Sequence, residues 1–567
     1  MTDDARRQIM MNRRRALASI GAVGAAGLAG CSSQGGESTE ATETSGDGGD
    51  GGGEDTPTPT PKQQASGTLK FGQAKAPVEL DPITLNDVPS SEVAAQVFSG
   101  LYTYDEQTAL VPDLAKGDFE TSKKSSDAAP GTRYTVEIKE EATFHNGDPV
   151  TAEDVKYTLE APVEEETENA AGVNMIDTIT AIDEKTVQID LDFPLGPFKH
   201  RLARLVVPKS VREQDKEAFK TNPVGSGPFK FAEWEQGSLA KVERWDDYWG
   251  EPKALVEAVD FKPVKESTTR LTTLQNGDNQ IVKSVPPKLF STVKNLETAS
   301  IQSVPGISYF YLAMNCKEGP TSSKKVREAI DYTFDMDKAV SNFVEPAGSR
   351  QYSPVPTSIA ETFDFPVEEW KQIPHDKDIE KAKSMFDEAG VPTDYNWKII
   401  VPPDDKREQI GITVSNGLKD AGFENVSVQR LDWGAFLDRY ITGKESDYNM
   451  FTLGWAGLPD PNSFAFPLFG RTEDTLGVTN GTYYGANSQR GKDAAEQFKQ
   501  ARQSPDREER RQLYIEGFTK VLEDRAHLAS YNLKNTFGVR DEVNDFLAHP
   551  VDQFHLSSGT NNVSLDQ

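Results

Sequence analysis

Near residue 306 the chain changes character, and that change narrows the folds open to it more than any other feature. Upstream, short runs with alternating or near-alternating apolar residues recur at Thr68–Gly72, Tyr134–Ile138, Lys185–Phe193, Phe229–Glu233, Leu239–Arg244 and Val256–Lys262. Period-two patterning of this kind marks half-buried strands. Downstream, helical spacing takes over. Val326, Ile330 and Phe334 predict a helix over Lys325–Val340, and Ile379, Ala382 and Phe386 predict one over Asp378–Ala389 that stops at Gly390. Ile410, Val414 and Leu418 mark Gln409–Ala421; Asp432 is placed to cap Trp433–Thr442; Leu513, Phe518, Val521 and Leu522 stack along Pro505–Arg525. Strand candidates Trp397–Val401, Ser427–Leu431 and Asn449–Gly454 lie between these helices. Strands alternating with helices build an α/β layer, so two lobes of different make-up are expected.

Three local readings belong to the first part. Ser90 or Ser91 is expected to cap a helix carrying Val93, Val97, Phe98 and Leu101 on one face, and Thr151 with Asp154 to open Ala152–Glu160. The Gly-x-Gly of Asn222–Phe229 is flanked by prolines, which forbid the helix start that a phosphate loop needs, and reads as a turn.

The amino-terminal stretch sets location rather than fold. Arg13-Arg14-Arg15 precede an apolar run from Ala16 to Gly30 and then Cys31. That run is shorter than the roughly 20 residues of a membrane-spanning helix and has the layout of a secretory leader. The arginine pair resembles a twin-arginine export signal, and Leu28-Ala29-Gly30-Cys31 resembles a lipobox, whose cysteine takes up lipid and becomes the new amino terminus. Residues 31–66 are rich in Gly, Ser, Thr, Glu and Asp, with a Thr-Pro alternation at Thr56–Pro61, and hold too little apolar surface to offset ordering. They read as a disordered leash between a lipid on Cys31 and a folded body held at the outer face of the cytoplasmic membrane. The net charge of −29 argues against nucleic acid and anionic lipid surfaces, and suits a protein of a saline, haloarchaeal cell. With Cys31 lipidated, Cys316 has no disulfide partner; its neighbours Leu312, Ala313 and Met314 mark it as a core residue.

Several segments carry a more particular signal in their order. They are Gly100-Leu-Tyr-Thr-Tyr104, Val111-Pro-Asp-Leu-Ala115, Phe144-His-Asn-Gly-Asp-Pro149, Thr151-Ala-Glu-Asp-Val155, Val224-Gly-Ser-Gly-Pro-Phe229 and Asp247-Tyr-Trp-Gly250. Thr273-Leu-Gln-Asn-Gly-Asp278, Val326-Arg-Glu-Ala329, Lys381-Ala-Lys-Ser-Met-Phe-Asp-Glu-Ala-Gly390, Gly454-Trp455 and Asp460-Pro461 follow. From residue 68 onward the chain resembles the extracytoplasmic solute-binding proteins of ABC importers, family 5, of the dipeptide-, oligopeptide- and nickel-binding type. The resemblance implies an α/β, two-lobed periplasmic-binding-protein-like clamshell of class II type, with an extra subdomain inserted in the first lobe. Carried onto this chain, lobe I takes 67–110, 205–305 and 530–567, the insert 111–204, and lobe II 306–529. It also implies a monomer without cofactor or catalysis, whose partners are a small-molecule or peptide solute and ABC importer permease subunits.

In such a receptor the solute contacts both lobes only when they are shut, so binding shifts an open–closed equilibrium. The resemblance implies that Gly454, Trp455 and Ala456 line the cleft from the second lobe; Tyr309 and Asp460 are further candidate ligand-binding residues, Asp460 also reading as the turn and cap residue of its Asp-Pro. Asn86 and Asp87, in the Thr84–Pro89 loop, line the cleft from the first lobe. Arg407, in Pro402-Pro-Asp-Asp-Lys-Arg407, lies roughly where some members place a carboxylate-binding arginine; a solvated surface charge is the alternative reading. One departure stands out. Peptide binders carry an acid about three positions after Gly-Trp to pair with the peptide's amino group, and here that position is Leu458. Burying an unpaired ammonium costs several kcal/mol, so an N-blocked, neutral or non-peptide solute is expected. Sugars and metal chelates remain alternatives. The chief rival class is a secreted hydrolase, but the six histidines are scattered, with neither His-Glu-x-x-His nor Gly-x-Ser-x-Gly among them.

Overall fold

The computed structural model describes residues 67–470, 479–553, 556 and 563–566; the arginine cluster, Cys31 and the leash lie outside the described residues. One strand, His527–Arg540, ties the rest together. It is 14 residues long and buried over most of its length. Its first part pairs antiparallel with Ser308–Met314, Ala313 standing opposite His527. Its second part pairs with Ile281–Lys283 and with Ala299–Pro305, Ile281 opposite Val539 and Ala299 opposite Arg540.

On one side of this crossing strand the sheet continues through Ser308–Met314, Met450–Ala456, Trp397–Val401 and Val426–Arg430. On the other side it continues through Ile281–Lys283, Thr68–Gln73, Ala258–Pro263, Leu239–Arg244 and Phe229–Glu235. Everything on the first side comes from beyond residue 306, and everything on the second from before it. The chain thus passes between the two lobes at Pro305–Ser308 and along the crossing strand. Gly306 is held at the pass by its N–H to Leu533 O at 2.8 Å and by Asn532 Nδ2 donating to its carbonyl at 2.8 Å.

Strand alternation decides what each face buries. In Ser308–Met314, Tyr309 and Tyr311 enter one aromatic core with Phe436, Phe451, Phe498 and Phe518, whereas Phe310, Leu312 and Met314 enter another with Val326, Trp397 and Val414. The helix Asp405–Asp420, capped by Asp404, links the parallel strands Trp397–Val401 and Val426–Arg430 as an α/β crossover. A separate antiparallel sheet, Glu120–Ser122, Arg133–Glu137, Thr186–Leu191 and Ile176–Ala181, lies within 111–204 and has its own core around Tyr134, Val136, Phe144, Val155 and Ile189. The helix Ala152–Glu164 covers it and opens with the reciprocal Thr151–Asp154 capping box.

The turn at 222–229 fastens this subdomain to the first lobe. A Cβ on Gly225 would stand 2.0 Å from Val97 O, and one on Gly227 would stand 2.6 Å from Gln96 O, so only glycine lets the backbones touch. His145 reaches across to it. Gly225 N donates to Nδ1 at 3.2 Å and Nε2 lies 3.0 Å from Gly227 O. The histidine is structural, joining the insert to the turn of the first lobe.

Two helices differ from the sequence expectation. The helix of the first lobe is Val88–Val97, capped by Asp87 rather than Ser90 or Ser91, with Ser90 N donating to Asp87 Oδ1 at 2.9 Å; Leu101 lies beyond its end. The helix expected over Lys325–Val340 is two, Lys324–Asp331 and Met336–Phe343. Asp335 offers its carboxylate to Lys338 N at 2.9 Å, and this local cap starts a new helix where the apolar period runs straight through.

Candidate functional site

The strand Met450–Ala456 brings Gly454, Trp455 and Ala456 to the end of the second-lobe sheet, opposite Phe310, Tyr309 and Ser308. Gly454 is required there, because a Cβ would fall 2.3 Å from the Phe310 ring. Trp455 and Ala456 are half-buried. The Trp455 indole N–H donates to Ser463 O at 2.7 Å, and Leu458 N donates to Ser463 Oγ at 3.2 Å, so the loop after the strand folds back on itself and fixes the indole.

Arg407 is not a solvated surface charge. It is 6% exposed, its guanidinium lies 5.1 Å from the centre of the Phe310 ring, and its Nε has no hydrogen-bond partner among the described residues. No carboxylate lies within salt-bridge distance of it among those residues. A buried donor without an acceptor is rare in folded proteins and needs an explanation.

Asp460 has its partners already. Only 1% exposed, it receives Arg510 Nη2 at 2.8 and 2.6 Å and Asn462 N at 2.8 Å. Burial pushes its carboxyl up, but Arg510 and His200 outweigh that and hold it below the ordinary carboxylate range. His200 belongs to the inserted subdomain, with Nε2 3.7 Å from Asp460 and Nδ1 3.0 Å from the Tyr104 hydroxyl; burial lowers its pKa to about 4. This is a seam where insert meets second lobe. Around it, Gly196 presses on Ser504 O and Arg510, and Arg502 stands 5.1 Å over the Phe193 ring.

Tyr309 is fully buried, its ring beside Tyr311 and His527 and its hydroxyl 3.3 Å from His527 Nδ1. It is the cross-strand neighbour of Trp455. Asn86 is exposed and donates to Glu168 of the insert; Asp87 caps its helix. Their loop is fastened to the insert by Asn169 Nδ2, which donates to Ile83 O at 3.1 Å and Leu85 O at 2.9 Å. The structure therefore sets Gly454, Trp455 and Ala456 at one strand end, Arg407 on the Phe310 face of that sheet away from the indole, Asp460 in the seam, and Asn86 and Asp87 on the first-lobe side.

Sequence reading passed over His200 and the basic residues around it, although Lys199-His200-Arg201 and Arg204 form a visible cluster in so acidic a chain. A cavity lined by Phe98, Tyr102, Asp113, Tyr248 and Trp249 lies where the insert joins the first lobe, away from the strand end that carries Trp455. No group of three or more His, Cys, Asp or Glu suited to a metal ion occurs among the described residues.

Two lobes, two passes of chain between them and an aromatic strand end at their junction define a solute-capturing clamshell. Residues 109–475 match the bacterial extracellular solute-binding proteins, family 5 (middle region), and the chain belongs to that family. Among curated relatives, the glutathione-binding protein GsiB of Pectobacterium atrosepticum is 28% identical over 464 residues, covering 78% of this chain and 84% of that protein. The oligopeptide-binding protein AppA of Bacillus subtilis is 26% identical over 517 residues, covering 86% and 90%. The fold is shared with the ABC transporter substrate-binding protein CtaP of Listeria monocytogenes, at TM-score 0.76 and 21% identity over 89% of this chain and 100% of that one. It is shared too with AgaA of A. tumefaciens R10, solved with agropinic acid, at TM-score 0.68 and 24% identity over 88% and 99%.

Proposed function

We propose that the protein is the exported substrate-binding component of an ABC importer, anchored by lipid on Cys31, that shuts on a small or peptide-like solute and delivers it to permease subunits. Gly454, Trp455 and Ala456 form one wall, Asn86 and Asp87 the facing loop, and Tyr309 the cross-strand neighbour of Trp455. Arg407 binds a carboxylate of the solute. The observation that carries this reading is the tryptophan held at a strand end by its indole N–H bond to Ser463 O; the buried Arg407 Nε, unpartnered among the described residues, lies on the Phe310 face of the same sheet. Leu458 is apolar, and Asp460, the acid two positions further on, is engaged by Arg510, so neither offers a free ammonium a partner. The solute is therefore N-blocked or not a peptide.

The test is a thermal-shift screen in high salt with N-acylated and free peptides, sugars, organic acids and metal chelates. A ligand at a hundred times its Kd stabilises by about 2.7 kcal/mol. Trp455→Ala is expected to abolish that shift while the unliganded protein still melts cooperatively. An unchanged shift would move the site elsewhere.

A further inference from the structure

We propose that the solute carries a negative charge and that the inserted subdomain holds it through Lys199, Arg201 and Arg204. The inference rests on the solute-binding reading and adds a ligand class and a subsite to it.

The chain has 90 acidic residues against 61 Lys and Arg, so a carboxylate is the cheapest partner it could give a buried cation. At the turn Gly196–Ala203 and the residue after it, it gives none. Lys199, Arg201 and Arg204 are each half-buried, and none has a carboxylate within salt-bridge distance among the described residues. The acid of this seam, Asp460, is bound to Arg510 and faces His200. Arg204 reaches only two carbonyls, Pro82 O of the first-lobe loop and Asn169 O of the insert, both at 3.4 Å. Arg201 and Arg204 converge over the same residue: a Cβ on Gly172 would stand 3.3 Å from Arg204 Nη2 and 3.8 Å from Arg201 Nη1. Burial lowers the affinity of Lys199 and Arg201 for their protons, and burial with the charge of Arg201 brings Arg204 to about 10.

Crowded, partly desolvated like charges are unfavourable until an anion joins them. The location suits a solute group. This turn touches the first-lobe loop at Pro82, the insert at Asn169 and Gly172, and the second lobe at Asp460 and Ser504. An anion bound there relieves the repulsion while the lobes are shut, which couples its charge to closure.

Acid–amide pairs at constant ionic strength test the inference. The probes are N-acetyl-dialanine and its carboxamide, succinate and succinamide, with inorganic phosphate as the arm that separates phosphate from carboxylate. At least one anion is expected to bind tenfold or more tightly than its neutral counterpart. Arg201→Gln should weaken that preference, Arg201→Lys should keep more of it, and unliganded Arg201→Gln should melt no lower than the wild type. Lys199→Gln serves if Arg201→Gln does not fold. Equal binding of acids and amides, an acid response in Arg201→Gln like that of the wild type, or no melting shift with any anion overturns the charge assignment. Failure of the solute-binding reading looks different: no probe, charged or neutral, would then change the radius of gyration in solution scattering.

Discussion

At the scale of single residues, one buried carboxylate of the second lobe, Asp460, stands where the insert meets that lobe. Asp460 and Arg510 are both almost fully buried, and removing one partner of such a pair strands the other charge. Asp460→Asn is expected to cost about 3–5 kcal/mol, read from urea midpoints at constant slope. Asp460→Asn with Arg510→Met should recover a large part of that loss. A cost below about 1 kcal/mol, the value of an exposed pair, would show that the seam is wet. This residue also marks what sequence could not deliver. The Asp-Pro was visible, but its partner lies fifty positions away on the helix Arg507–Glu523 and its neighbour His200 far upstream. Polarity alone does not say whether an aspartate faces solvent, solute or another lobe. The burial of Arg407 against Phe310 likewise came only from the fold.

At the scale of elements, apolar spacing located most strands and helices, because the core selects for it. It failed where a cap overrode it. Val326, Ile330 and Phe334 are all buried, so the pattern reads as one helix although the backbone breaks before Asp335. If Asp335 sets that break, Asp335→Ala should destabilise by about 1 kcal/mol, the usual worth of an N-cap, measured by chemical denaturation, with Asp335→Asn nearly neutral. Tyr309 shows the other limit of periodicity. Alternation puts it opposite Trp455 but does not say that His527 and Tyr311 close over it.

At the scale of the whole molecule, strands from before and after residue 306 fall on opposite sides of the crossing strand. The hydrogen-bonded ladder nonetheless runs unbroken from one lobe to the other through His527–Arg540. Two lobes that share a strand should not unfold independently. Urea unfolding followed by far-ultraviolet circular dichroism and by tryptophan fluorescence is expected to give coincident transitions. Two separated steps would show that the shared strand does not couple the lobes.

That strand also sets an order of manufacture. Thr68–Gln73, the earliest strand of the first lobe to be synthesised, is separated from His527–Arg540 by Ile281–Lys283 alone. Thr68–Gln73 has both its neighbours once Ile281–Lys283 is made, but Ile281–Lys283 must wait, with an unfinished edge, until nearly the end of the chain has left the ribosome.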